Sequence, residues 1–281
     1  MAQTGREIRE LLSSRGLSPR RRLGQNFLLD HNLIEKLAGH VAPVPGGVVL
    51  EIGPGTGAMT GALLERGFDV VACELDAGLA RLLRETLCVA HPRLALIEGD
   101  CLDGKRGLNP ALTRALGGRP FVLASNLPYG AGTPVMMTLL TSHPECGSMA
   151  VTIQREVGDR LGARPSTDAY GAISVVAQLA ARVRTIARLG PECFWPRPEV
   201  DSVMVTLQRR TDSPCDTGEL AGVAGFCAAI FGKRRKQLGT ILGREGPWLQ
   251  GILPEARAES LEPEQILGLW RALRDSGRGF A

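Results

Sequence analysis

The feature that most constrains the fold is an apolar run, Val48–Ile52, which leads directly into a glycine-rich turn at residues 53–57. A helical pattern over residues 59–66 follows the turn. Glycine accepts backbone dihedral angles that a Cβ atom forbids and lets the main chain approach a ligand closely. This strand, turn and helix therefore predict an α/β sheet with a nucleoside site at the turn, where Gly53 and Gly55 lie.

Short apolar runs alternate with helix-length segments from residue 48 to about residue 154. The runs are VVLEI, DVVACE, LALI, FVLAS and MAVTI. This alternation is typical of parallel strands with crossover helices. Two later stretches, residues 182–188 and 202–210, have the period of two that antiparallel edge strands show. The sequence therefore predicts a Rossmann-like sheet of seven strands.

A second domain is predicted after the sheet. Residues 211–218, TDSPCDTG, are rich in turn formers, and helical patterns follow over residues 219–242 and 262–274. We therefore expect a catalytic domain at 1–210 and a small all-helical domain at 211–281.

Composition excludes several classes of protein. The first ten residues are too charged for a signal peptide, and no apolar run approaches the ~20 residues of a membrane span, so a cytoplasmic protein without membrane contact is expected. The seven cysteines are widely spaced and never form C-x-x-C, which favours neither disulfides nor a metal site.

Positive charge is local. The net charge is only +4, yet six arginines stand among the first 25 residues against two glutamates, and a second cluster occupies residues 233–236. Clustered Lys and Arg are typical of phosphate contacts, although solvated helix faces have the same appearance. The candidate RNA-binding residues are Arg20, Arg21, Arg22, Lys233, Arg234, Arg235 and Lys236.

Two carboxylates extend the candidate nucleoside site. Glu74 ends the second apolar run, where a carboxylate can accept hydrogen bonds from both ribose hydroxyls, and Asp100 follows the third run, where it could accept from an adenine amino group. The turn with Ala58 also fits the NAD fingerprint G-x-G-x-x-A, and a tight turn without a ligand is a further alternative. Because the paired basic side chains that favour a pyrophosphate are lacking here, S-adenosylmethionine is the favoured cofactor.

The motif Asn126-Leu127-Pro128-Tyr129 follows the fourth apolar run, at the edge where such sheets bind ligands. The N6 atom of adenine is a poor nucleophile because its lone pair is delocalised into the ring. The Asn126 side-chain oxygen and a main-chain carbonyl of Leu127 or Pro128 could accept its two hydrogens and favour the pyramidal nitrogen that attacks a methyl group. The motif therefore predicts methyl transfer to an adenine amino group.

Aromatic residues could hold the target base. Pro128 fixes its own φ and stiffens the loop, and Tyr129 offers a ring on which a base can stack. Phe194, on a proline-rich loop, is the candidate for the opposite face. The alternatives are that Phe194 is a core residue under the loop and that Trp195 provides the second ring.

Several ordered blocks resemble the KsgA-type ribosomal RNA adenine dimethyltransferases over nearly the whole chain. Besides the Asn126 motif, they are the blocks at residues 23–28, 154–157, 170–171, 194–202 and 231–238. The resemblance implies that S-adenosylmethionine contacts Asn26, Leu28, Gly53, Glu74, Asp100 and Asn126. The chain departs from the pattern at Thr240 and at residues 130–131, which concern RNA docking and loop shape.

The resemblance further implies two methyl transfers to each of two adjacent adenines in the 3′-terminal hairpin of 16S rRNA, on the 30S subunit or its precursor. Nothing in the sequence indicates more than a monomer. One alternative is a 23S rRNA methyltransferase of the erythromycin-resistance type, although the blocks at 170–171 and 233–236 favour the KsgA type. Another is a ribosome assembly factor with secondary activity, against which an intact Asn126 and Tyr129 weigh. An NAD-dependent oxidoreductase would need a hydride-handling residue, and no convincing one is found.

Overall fold

The computed structural model describes residues 4–42, 44–104 and 107–277. The chain forms two compact units. One comprises Met1–Thr138, Glu145–Gly158 and Arg184–Gln208, and the other comprises Leu139–Pro144, Asp159–Val183 and Arg209–Ala281. The units interleave along the chain, and the linear division at residues 1–210 and 211–281 stays a prediction.

The strands of the described residues include short two-residue pairs as well as the main sheet. They are β1 (Phe27–Leu28), β2 (Val48–Ile52), β3 (Val70–Glu74), β4 (Leu94–Glu98), β5 (Leu102–Asp103), β6 (Gly107–Leu108), β7 (Phe121–Asn126), β8 (Cys146–Gln154), β9 (Ala181–Leu189), β10 (Phe194–Trp195) and β11 (Ser202–Arg209). The main sheet has seven strands in the order β4-β3-β2-β7-β8-β11-β9, which confirms the predicted fold.

The α-helices of the described residues connect and follow these strands. They are α1 (Gly5–Ser13), α2 (His31–Ala38), α3 (Ala58–Glu65), α4 (Ala77–Leu83), α5 (Pro110–Leu116), α6 (Gly132–Ser142), α7 (Arg155–Leu161), α8 (Ala172–Ala180), α9 (Thr217–Phe231), α10 (Leu238–Leu242) and α11 (Pro263–Asp275). Among these residues, no helix is both long and apolar enough to cross a membrane.

Strand order creates a switch point between β2 and β7. The pairs β2·β3, β3·β4, β2·β7 and β7·β8 are parallel, whereas β11 runs antiparallel to β8. The chain proceeds outward from β2 in one direction through β3 and β4, and in the other through β7 and β8. Ligands of open α/β sheets bind at such a point, outside the carboxyl ends of the strands.

Burial explains the strength of the sequence signal for the central strands. All five residues of β2 and all five of β3 are buried. Parallel strands covered by helices on both faces are near-continuous apolar runs, and departures from that pattern are conspicuous. The two departures here are Glu51, the penultimate residue of β2, and Glu74, the last residue of β3.

The predicted helix over residues 219–242 is wrong in its middle. The structure has two helices, Thr217–Phe231 and Leu238–Leu242, separated at the basic block. Glycine at 232 and four successive cations disfavour helix continuation, because like charges one turn apart repel. After the break, the amides of Leu238 and Gly239 donate to the carbonyls of Ala256 and Pro254 instead of completing helical bonds.

The second unit has its own apolar core. Helices α8, α9 and α11 pack against one another there. The Tyr170 side chain is buried with its hydroxyl donating to the Leu261 carbonyl at 2.8 Å, and its ring meets the edge of Phe231 with centroids 5.8 Å apart. Burial raises the pKa of the Tyr170 hydroxyl, so this group is a structural hydrogen-bond donor.

Candidate active site

A cavity of about 360 Å³ opens at the carboxyl ends of β2, β3 and β7 in the first unit. Its lining includes the residues Arg22, Asn26, Leu28, Gly53, Gly55, Glu74, Asp100, Asn126, Leu127, Pro128 and Tyr129, all singled out from the sequence. A short antiparallel ladder at the side of the sheet pairs Phe27 with Trp195 and Leu28 with Phe194. The fold therefore brings together blocks that are far apart in the chain.

The glycine turn fits closely under its neighbours. Gly53 and Gly55 have φ of +69° and +61°, a region that side chains rarely adopt. A Cβ atom at Gly53 would lie 2.9 Å from Pro128 Cγ, and one at Gly55 would lie 3.0 Å from Phe27 Cε1. The turn therefore packs between Pro128 of the Asn126 motif and Phe27 of the block at residues 23–28. A larger residue at Gly53 or Gly55 would clash with these side chains.

Glu74 is the buried carboxylate at the end of β3. Its Oε2 atom accepts from the Gly55 amide at 3.0 Å, and its Oε1 atom accepts from the Asp76 amide at 2.9 Å. Burial raises the pKa of Glu74, an effect that these two backbone donors oppose. Since a carboxylate has about four lone-pair sites, each oxygen retains capacity for a further donor such as a ribose hydroxyl.

Asp100 is more exposed than Glu74 and also lines the cavity. Its Oδ1 atom accepts from the Leu102 amide at 3.0 Å, and its backbone carbonyl accepts from Asn109 Nδ2 at 2.7 Å. These bonds orient the carboxylate in the loop after β4. The position agrees with the prediction that Asp100 accepts from an adenine amino group, and that role stays a prediction.

Asn126 ends β7 with its amide held by another part of the site. Its Nδ2 atom donates to the Asn26 carbonyl at 2.9 Å. Because Nδ2 is engaged in this bond, the Oδ1 atom is the side-chain group that can accept from a substrate. The Pro128 carbonyl accepts from the amides of Ala131 and Gly132 at 2.9 and 3.1 Å. The carbonyl of Leu127 is therefore the better second acceptor for a substrate amino group.

Tyr129 is half-buried at the mouth of the cavity. Its hydroxyl lies 2.8 Å from Ser202 Oγ, and Ser202 itself is fully buried at the start of β11. Burial raises the pKa of Tyr129, so the phenol is neutral and its hydrogen bond positions the ring. Sequence reasoning had Ser202 only as the end of a family block and missed this contact.

Phe194, the candidate for stacking on the target base, is buried in the structure. Its side chain is 3% exposed, packs in the same apolar cluster as Leu28, and is not among the residues that line the cavity. The reason is the ladder register, which sets Phe194 directly opposite Leu28. Trp195 is half-buried and stacks on Phe27, with ring centroids 6.2 Å apart. The geometry favours the alternative of a core residue, and a stacking role for Phe194 stays a proposal.

The N-terminal cations differ in their surroundings. Arg21 is exposed, and Arg22 is exposed while its residue contributes to the cavity lining. Arg20 instead forms an ion pair with the buried carboxylate of Asp76, with Nε and Oδ2 3.1 Å apart. The three arginines therefore do not form a uniform phosphate-binding patch.

The second basic cluster is divided in the same way. Lys233, Arg235 and Lys236 are exposed. Arg234 donates from Nε to Glu259 Oε2 at 3.1 Å, and from Nη2 to the backbone carbonyls of residues 167 and 168 at 3.3 and 2.8 Å. These contacts give Arg234 a structural role within the second unit.

Glu51 is a buried polar group of β2 to which the sequence analysis assigned no role. The side chain is 1% exposed, and its Oε2 atom accepts from the Thr60 hydroxyl at 2.7 Å. Burial raises the pKa of Glu51 to about 8, so the carboxyl is largely protonated at neutral pH. A carboxylate inside an otherwise apolar strand was the signal that could have identified it.

These features fit S-adenosylmethionine. The volume suits a ligand of nucleoside size. The glycine turn packs against Pro128 and Phe27 at positions where a Cβ atom would clash, and the buried Glu74 carboxylate lines the cavity. In the part of the chain that the structure describes, no group of His, Cys, Asp and Glu could hold a metal ion.

Comparison with known proteins bears on this site. The family model for ribosomal RNA adenine dimethylase matches residues 16–275. A Phenylobacterium zucineum protein named ribosomal RNA small subunit methyltransferase A is 38% identical over 96% of this chain and 94% of its own length. A protein of the same name from Opitutus terrae is 37% identical over 98% of this chain and 99% of its own length.

Two solved structures have the same fold. A dimethyladenosine transferase from Plasmodium falciparum aligns with a TM-score of 0.70 at 20% identity, over 88% of this chain and 97% of that one. The 23S rRNA methyltransferase ErmE aligns with a TM-score of 0.64 at 25% identity, over 89% of this chain and 100% of that one. Both likenesses agree with the sheet order and the C-terminal helices described above.

Proposed function

The chain belongs to the ribosomal RNA adenine dimethylase family, and on that premise we propose that it dimethylates N6 of two adjacent adenines in the 3′-terminal hairpin of 16S rRNA. Membership confirms the resemblance found in the sequence, and with it an S-adenosylmethionine-dependent methyltransferase of ribosomal RNA. The observation that carries the proposal is the Asn126 amide, which is anchored by the Asn26 carbonyl beside a nucleoside-sized cavity.

The cavity residues hold and orient the cofactor. Glu74 accepts from the ribose hydroxyls, Asp100 accepts from the adenine amino group, and Gly53 and Gly55 let the main chain pass close to the ligand. When bound, S-adenosylmethionine supplies an electrophilic methyl group on its sulfonium. Each of the named carboxylates is already oriented by backbone amides, so little rearrangement is required on binding.

The catalytic motif acts by hydrogen bonding. Asn126 Oδ1 and the Leu127 carbonyl accept the two hydrogens of the target amino group, which favours the pyramidal nitrogen of the transition state. Tyr129, fixed by Ser202, stacks on the extruded base. No strong base is needed, because the methylated nitrogen is positively charged and releases its proton to water. The same geometry accepts an amino group that already carries one methyl, because one hydrogen remains to be held.

The proposed substrate is 16S rRNA within the 30S subunit or its precursor, acted on in the cytoplasm by a monomer. Two other functions compete. One is modification of 23S rRNA, and the likeness to ErmE in fold does not separate it from the first. The other is ribosome assembly with secondary methylation, which the intact and well-positioned Asn126 disfavours.

The experiment is incubation with tritiated S-adenosylmethionine and 30S subunits that lack the hairpin dimethylation, followed by nuclease digestion and mass spectrometry. We expect dimethyladenosine in the 3′-terminal hairpin. Label in 23S rRNA alone would support the resistance-type function, and tight 30S binding without label would support the assembly factor. The Asn126→Ala variant is the matched control for label that does not depend on the motif.

A further inference from the structure

Asp76 is a buried carboxylate two residues beyond Glu74, which ends β3. The residue is 3% exposed and caps α4, since its Oδ1 atom accepts from the amides of Gly78 and Leu79 at 2.9 and 3.4 Å. Its own amide donates to Glu74 Oε1 at 2.9 Å. Asp76 is therefore joined directly to the carboxylate that faces the cofactor ribose.

The other oxygen of Asp76 is bound from the N-terminal block. We call residues 20–28 the strap, because residues 22–28 line the cavity and Arg20 is joined to them through Gln25. Arg20 Nε lies 3.1 Å and Gln25 Nε2 lies 3.3 Å from Asp76 Oδ2. The Gln25 Oε1 atom also accepts from the Arg20 amide at 2.7 Å, so the two residues are joined to each other within the strap. Two strap side chains thus converge on one buried carboxylate.

The far end of the strap contacts the catalytic motif. The Asn26 carbonyl accepts from Asn126 Nδ2 at 2.9 Å. At Gly24, with φ of +66°, a Cβ atom would lie 3.2 Å from the Tyr129 amide nitrogen. The strap therefore bridges the ribose side of the cavity and the residues that hold the target adenine.

The ion pair between Arg20 and Asp76 is expected to be stronger than an ordinary surface ion pair, because its carboxylate is buried. A buried carboxylate without a partner is costly, and a hydrogen bond to a charged group is stronger than one between neutral groups. Although Arg20 is 45% exposed, Asp76 is not, so the arginine is held by a partner that water reaches poorly. A phosphate would have to compete with that carboxylate for the same guanidinium.

We infer that Arg20 and Gln25 are positioning residues that hold the strap closed over S-adenosylmethionine through Asp76, and that Arg20 serves cofactor retention, not RNA binding. The inference rests on the proposed function for the identity of the cofactor. On this inference, Arg20 and Gln25 slow the dissociation of the cofactor, and of the S-adenosylhomocysteine left after transfer, from the cavity.

The test measures dissociation of S-adenosylhomocysteine from the RNA-free protein by stopped-flow displacement. Arg20→Ala and Gln25→Ala should each dissociate faster, by about tenfold for Arg20, the factor equivalent to one charge-assisted hydrogen bond. Arg20→Lys keeps the charge and should restore part of the retention. Arg21→Ala removes the same charge from the exposed neighbour and should dissociate as the wild type does.

A second readout separates positioning from RNA binding. The salt dependence of 30S binding should have the same slope for Arg20→Ala as for the wild type, whereas a lost phosphate contact lowers that slope by about one. Unchanged dissociation together with a lowered slope would overturn the inference. Circular dichroism melting controls for folding, and the test uses strap variants because Asp76→Ala would also remove the α4 cap. If the wild type itself binds no cofactor, the proposed function fails as well.

Discussion

Single residues at the carboxyl edge of the sheet are oriented by backbone groups before any ligand arrives. The Asn126 amide is held by a carbonyl, the Glu74 carboxylate by two amides, and the Asp100 carboxylate by one. Donors and acceptors that are already in place need no rearrangement during the reaction, which is how such sites lower the free energy of a transition state. Mutation of each residue should therefore distinguish an effect on methyl transfer from an effect on cofactor affinity.

Asn126→Ala should reduce methyl transfer by about a thousandfold or more, since it removes an acceptor that acts mainly in the transition state. Cofactor affinity should stay within about tenfold of the wild type. Single-turnover transfer to 30S subunits and equilibrium dialysis with labelled cofactor measure the two quantities. Near-normal turnover in this variant would contradict the mechanism.

Glu51→Gln should stabilise the protein increasingly as pH rises. Burial holds the folded pKa at about 8 against an ordinary value of 4.5, so the folded state keeps a proton that the unfolded chain releases. Wild-type stability therefore falls between those pH values, by up to about 1.4 kcal/mol per pH unit. Glutamine does not titrate and can still accept from Thr60. Urea denaturation at pH 5 and pH 8 measures the difference, and a gap that does not change with pH would refute the buried proton.

At the scale of elements, packing between helices decides which substitutions are tolerated. In the second unit, Gly222 of α9 lies against the Trp270 ring of α11, and a Cβ atom there would overlap that ring. Gly225, less than one turn further along the same helix, has no neighbour within 4 Å of the corresponding Cβ position. A side chain is therefore sterically excluded at Gly222 but can be accommodated at Gly225.

Gly222→Ala should lower the free energy of unfolding by about 1–3 kcal/mol, because the tryptophan must move to admit the new methyl group. Gly225→Ala is the matched control and should raise it by about 0.5–1 kcal/mol, because alanine favours the helix and nothing obstructs it. Denaturant unfolding followed by circular dichroism compares them. Equal effects of the two substitutions would show that Trp270 does not occupy this site.

At the scale of the whole molecule, positive charge is concentrated in short clusters while the net charge is small. In both clusters some arginines pair with carboxylates of the protein, namely Arg6, Arg15 and Arg20 in the first cluster and Arg234 in the second. The other cations of the two clusters are exposed. Electrostatic attraction of RNA is therefore expected from fewer side chains than the count of basic residues suggests.

Replacing Lys233, Arg235 and Lys236 together by alanine should flatten the salt dependence of 30S binding, with the slope of log K against log salt reduced by about two to three. Arg234→Ala is the control. It should leave that slope unchanged and lower the melting temperature, because it removes the bonds to Glu259 and two carbonyls. Filter binding over a range of KCl concentrations measures the slope. No change in the triple variant would make this cluster a solvated face.

The sequence by itself determined the sheet, the glycine turn and the polar residues at the ends of the strands. The sequence predicts the two central strands, Val48–Ile52 and Val70–Glu74, because strands buried on both faces are apolar throughout. A carboxylate within such a run, such as Glu74, is therefore conspicuous. The turn can be predicted from the sequence because the positive φ angles at Gly53 and Gly55 favour glycine. These are local properties, and a local pattern is enough to reveal them.

Only the tertiary structure decided which partners the side chains find. The ladder with Leu28 buries Phe194, Arg20 pairs with the buried carboxylate of Asp76, and Arg234 donates to the carbonyls of residues 167 and 168. Each of these depends on two segments far apart in the chain meeting in one register. Charge, aromaticity and spacing state what a residue is able to do, but the free energy of burial and pairing selects which of those interactions is made.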